Sequence, residues 1–244
     1  MPKRLAALLL ALVAARLAPA AETSGPSASD QDPHYTRAGF FDLHVCNWPD
    51  RPLFFMMVFS TEHFARIESV AVYDPQARRV GGMDLGRYRI VQRPGRPPKR
   101  VFITQVPIGA AAVDGWYTAR IRIRDGEEVT ARDFVVLDRM ARARPASIPD
   151  GAELDAAPAA LSWTPVPGAA YYQVFVRDLW GDGELLLPAE LHETPRVDFP
   201  QGLLEPGGTY TWQVHARDVD GHPLLGDFNH GSLSHVYSFS IAEP

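Results

Sequence analysis

The chain has 244 residues, 46% of them hydrophobic and 22% charged, with a formal net charge of −5 at pH 7, an ordinary globular composition. Its single cysteine, Cys46, excludes an intrachain disulfide and a cysteine-built zinc site. No apolar run reaches the roughly 18 residues of a membrane-crossing helix.

Residues 1–20 read as a secretory signal peptide. Lys3 and Arg4 precede the apolar stretch 5–15, and Ala18-Pro19-Ala20 supplies small residues for cleavage. The expectation is a soluble, exported protein. Arginine-rich, lysine-poor usage and the short leader suggest a bacterial periplasm. Residues 21–36 are polar, without apolar period, and read as a flexible lead-in.

From residue 37 to 140 the pattern is strand-like. Leu53 to Phe59 is a continuous apolar run, as a buried strand would be. Val70 to Tyr73 leads into an Asp74-Pro75 turn, and Tyr88 and Ile90 alternate with Arg87 and Arg89. Tyr117, Ala119, Ile121 and Ile123 alternate with Thr118, Arg120, Arg122 and Arg124, and Asp125-Gly126 then marks a hairpin turn. Short strands at this spacing predict an immunoglobulin-like sandwich. A linker with the first strand of a second unit follows at 141–160, and the remainder of that unit occupies 161–244.

The second unit carries sharper marks. Leu161-Ser162-Trp163 precedes Pro165-Val166-Pro167-Gly168, then Tyr172, Val174 and Val176 share one face. Leu204-Glu205-Pro206-Gly207-Gly208-Thr209-Tyr210 runs into Trp212 and Val214. Over residues 145–242 this resembles the fibronectin type III family, with its strand-B tryptophan, strand-C tyrosine and L-x-P-G-x-x-Y corner. The resemblance implies a sandwich in which the corner tyrosine hydroxyl bonds back to the backbone. The chain departs from the family between the last strands, where 222–235 is long and histidine-rich. The expected fold is therefore all-β, two tandem sandwiches, immunoglobulin-like and then fibronectin type III-like.

Charge divides unevenly between them. Residues 37–144 hold 18 Arg and Lys against 12 Asp and Glu, and residues 145–244 hold 3 against 14. Such asymmetry implies either mutual attraction of the halves or a different partner for each.

Alternation puts Arg120, Arg122 and Arg124 on an outward sheet face, with Arg87 and Arg89 doing the same on another strand. Guanidinium forks suit carboxylate and phosphate, so these five are the candidate ligand-binding residues. His222, Asp227, His230 and His235 form a weaker candidate metal set whose spacing matches no established motif. Neither G-x-S-x-G nor H-E-x-x-H occurs. The sequence therefore predicts a non-enzymatic, cofactor-free binding or scaffolding protein of the cell envelope. Its partner is a protein or an envelope polymer, with nucleic acid and a transmembrane segment excluded. The alternatives are an anionic-polymer or carbohydrate-binding module using the basic face, and a histidine-loop metal protein.

Overall fold

The computed structural model describes residues 32–180, 183–188, 190–219 and 228–243, apart from the side chain of residue 93. These form strands joined by turns, plus one 3-10 turn at Phe64–Arg66. Among them no helix is long and apolar enough to cross a membrane.

The first sandwich sets two sheets face to face. One holds β2 (Gly39–Asn47), β3 (Phe54–Thr61), β7 (Arg96–Pro107) and β6 (Tyr88–Arg93), hydrogen-bonded in that order. The other runs β5 (Arg79–Gly82), β4 (Ile67–Tyr73), β8 (Gly115–Ile123), β9 (Glu128–Val135). This is the ABED and C′CFG arrangement of immunoglobulin sandwiches. Because side chains alternate along a strand, Phe41, Leu43 and Val45 of β2 and Phe55, Met57 and Phe59 of β3 point inward. They meet Val70 and Val72 of β4 and Tyr117, Ala119 and Ile121 of β8, all buried. The β8–β9 hairpin turns where expected: Gly126 takes φ 90°, and the Asp125 carboxylate accepts the Glu127 amide at 3.2 Å.

The polar lead-in ends earlier than predicted. Tyr35–Thr36 form β1 and pair with Phe40 and Gly39 of β2.

In the second sandwich, β11 (Ala160–Ser162) pairs with β14 (Arg196–Asp198), and a Pro145–Trp163 bridge adds the first strand. Facing them, β12 (Tyr171–Asp178) lies between β13 (Leu191–His192) and β15 (Thr209–Arg217). β15 in turn pairs with β17 (Tyr237–Ile241), and β10 (Ala152–Leu154) joins β17 in parallel. Trp163, Tyr172, Val174, Val176, Trp212 and Val214 fill the core. The expected corner is present, since the Glu205 amide donates to the Tyr210 hydroxyl at 2.8 Å.

The sandwiches are more than tandem. The last strand is split, and its first part, β16 (His230–Leu233), lies between the two units. It pairs antiparallel with β15 and parallel with β2, so a single sheet runs from β12 through to β6. Each sandwich thereby covers an edge strand of the other, an edge that would otherwise present unpaired amides and carbonyls. The connecting segment is tied down as well. Asn47 donates to the Met140 carbonyl at 2.9 Å, Ser232 to that of Ala141 at 2.6 Å, and Arg142 to Asn47 and the Trp48 carbonyl.

Candidate ligand-binding site at the seam

On the face of the continuous sheet away from the first core, β2 carries Asp42, His44 and Cys46, and β15 carries His215 and Arg217. All five are buried. Across the strands between them, Gly231 stands opposite Cys46 on one side and Arg217 on the other. Lacking a side chain, it leaves a trough that the Phe228 ring fills. The rings of His44 and His215 pack on Phe228 with centroids 3.9 and 5.2 Å away. A β-carbon at 231 would come within 2.5 Å of that ring.

Burial dictates the chemistry of this strip. Desolvation, helped by the adjacent Arg217 cation, pushes the His215 pKa down to about 3, so the ring is neutral. Its Nδ1 accepts from Arg217 Nε at 3.3 Å, which places the ring proton on Nε2. Arg217 also donates to Gln173 at 2.8 Å. Although desolvation lowers its pKa to about 10, it stays cationic at neutral pH. Cys46 has its thiol pushed up to about 12 by desolvation and is not a nucleophile.

A second, half-buried cluster joins the lead-in to the edge of the first sandwich. His34 lies between Asp32 Oδ1 at 2.6 Å and Asp133 Oδ1 at 3.1 Å. The hydrogen bond to Asp133 outweighs desolvation and raises its pKa to about 9. Asp133 also accepts the Leu43 amide at 2.8 Å, and Asp42 bonds His44 Nε2 at 2.7 Å. His34, Asp42 and Asp133 bring one potential ligand atom each within 4.8 Å of one another. With both ring nitrogens set against carboxylate oxygens, the cluster is arranged as an ion-paired clasp.

Along the same sheet face lies a groove of about 720 Å³. Arg51, Arg87, Arg89 and Arg217 line it together with Trp48 and His215, and Asp84 is the one carboxylate among its described lining residues. The Arg51 guanidinium is set by stacking 3.6 Å above the Phe54 ring and by a 2.7 Å bond to Gln105.

The five predicted arginines fall on two different sheets. Arg87 and Arg89 reach the groove. Arg120 and Arg122 lie on the outer face of β8, in the opposite sheet, and Arg124 follows in its turn. There Arg120 stacks 4.4 Å above Tyr73, and Arg122 is 3.9 Å from Glu128. Of the histidine set, His222 and Asp227 lie outside the described residues. His230 directs Nδ1 at Asp218 Oδ2 and Nε2 at the Val136 carbonyl, both at 2.8 Å. Both nitrogens face acceptors, so the hydrogen bond to Asp218 chiefly raises the pKa of His230, and the ring serves as an interface clip rather than a ligand. His235 is exposed elsewhere.

Sequence reasoning missed Arg51, Arg217, His215 and Trp48. One signal was available: an apolar run on both faces of β3 requires a cover on the face away from the core, and at Phe54 that cover includes Phe228 of the second unit.

No family model matches the chain, and no curated protein matches it. Among solved structures, it is similar to a chain of the complex of Dpr2 Ig1-Ig2 with DIP-Theta Ig1-Ig3, at 9% identity over 85% of this chain and 100% of that one, TM-score 0.29. Murine CEACAM1b gives 9% identity over 82% and 99%, TM-score 0.24. The Bacteroides ovatus SGBP-B in complex with a mixed-linkage heptasaccharide gives 9% over 80% and 42%, TM-score 0.22. Superpositions this loose add nothing to the strand orders above, which identify the sandwiches on their own.

Proposed function

We propose that this is a non-catalytic, exported binding or scaffolding protein of the bacterial cell envelope, built as a leader (1–20), a lead-in (21–36), a basic sandwich (37–140), a connecting segment (141–160) and an acidic sandwich (161–244). The observation that carries the reading is the seam. Two sandwiches fused through one sheet hold a groove lined with recognition groups, guanidinium and indole, in fixed relation. In the Asp32–His34–Asp133 clasp the titratable groups are engaged with one another, which supports the non-catalytic reading. The basic residues of the groove favour, as the narrower form of this reading, an anionic-polymer or carbohydrate-binding module.

Fractionation and in-cell crosslinking test it. The expected result is recovery from the periplasm, cleaved after residue 20, with reproducible crosslinks to one envelope component. Recovery from the cytosol with residues 1–20 intact, or turnover of a substrate, would contradict it.

A further inference from the structure

We propose that the seam groove binds an acidic glycan, a sugar chain bearing carboxylates, with Arg87, Arg89, Arg51 and Arg217 as its anion contacts. This deepens the binding reading above and rests on it. The volume of about 720 Å³ falls within the roughly 300–1,000 Å³ usual for small-ligand sites. Among the described lining residues, four guanidinium groups stand against the one carboxylate of Asp84, a cationic balance. Its charges are spread rather than convergent. Arg217 on β15 and Arg89 on β6 are separated by five strand-to-strand steps, about 24 Å across the sheet at roughly 4.8 Å each. A single ion cannot engage both ends of such a row, whereas an extended chain with repeated charges can.

Between the arginines the lining changes character. Asp84, Thr104 and Gln105 present a carboxylate, a hydroxyl and an amide, groups that exchange hydrogen bonds with sugar hydroxyls. A carboxylate there accepts protons from sugar hydroxyls, which bare polyphosphate lacks, and this favours the glycan. Two lining residues also hold unspent donors. Trp48 Nε1 and His215 Nε2 are buried with no acceptor among the described residues, and His215 is only 7% exposed. Buried donors without partners are costly, so their presence in a groove marks a place where ligand oxygens are received.

Titration calorimetry on the full-length chain tests the proposal with hexagalacturonate as probe, maltohexaose and inorganic polyphosphate as comparisons. Hexagalacturonate is expected to bind, more weakly as salt rises. The double variant Arg87→Ala/Arg89→Ala should weaken it about tenfold or more, as loss of two charge-assisted bonds implies. Arg120→Ala/Arg122→Ala, on the other sheet, should leave it unchanged, and maltohexaose should give no comparable heat. Absence of binding, equal losses in both double variants, or a preference for polyphosphate or the neutral glucan overturns the proposal. If crosslinks to an envelope component persist while hexagalacturonate fails, the glycan assignment alone falls. If both fail, the binding role falls with it.

Discussion

At Tyr210 one oxygen closes a corner of the second sandwich. The ring packs on Phe239 at 5.3 Å, while the hydroxyl receives the Glu205 amide at 2.8 Å. Tyr210→Phe keeps the packing and loses the bond, so it should cost about 1 kcal/mol in denaturant unfolding. Trp163, 1% exposed against the edge of Tyr172, is a matter of volume instead. Trp163→Ala should cost about 3–5 kcal/mol in the same measurement, and a wild-type midpoint for either variant would contradict these placements. Both residues were legible in the sequence, because a corner and a core aromatic are determined by neighbours close along the chain. Arg51 and Arg217 were not. They lie 166 positions apart in the chain and share the groove only through strand pairings that no local pattern specifies.

Among the elements, the strands of the first sandwich announced themselves by alternation. The inward set Tyr117, Ala119, Ile121 and Ile123 is buried along β8 as the period requires. β16 gave no such sign. His230–Leu233 reads as loop by composition and becomes a strand because β15 and β2 flank it with matching edges. Its central glycine is the element's weak point. A side chain at 231 would strike Phe228 at 2.5 Å and His215 Nε2 at 2.8 Å. Gly231→Val should therefore destabilise by about 1–3 kcal/mol, the usual penalty of overpacking, in a thermal or chemical melt. Unaltered stability would mean that Phe228 does not occupy the trough.

For the whole molecule, two histidines bend stability in opposite directions with pH. The folded pKa of His34, raised to about 9, stabilises fully below the unfolded value near 6.5 and less as pH climbs toward 9. His215, depressed to about 3, is neutral when folded, so the unfolded chain takes up the proton first and stability falls as pH drops from 6.5 toward 3. Unfolding midpoints should peak near pH 6.5, and His34→Gln should flatten the alkaline limb. An unchanged limb in that variant would contradict the clasp.

The charge asymmetry between the halves was legible from composition, yet their joining uses backbone pairing and neutral hydrogen bonds more than attraction of opposite charge. That joining is the claim on which the groove depends, since Arg217 and Arg51 come from different sandwiches. Native-state hydrogen exchange tests it most directly at Val45, whose amide crosses the seam to the Asn229 carbonyl at 2.8 Å. The fused sheet predicts that this amide exchanges as slowly as core amides such as that of Tyr117. Exchange at the rate of an exposed loop would show that the two sandwiches part in solution.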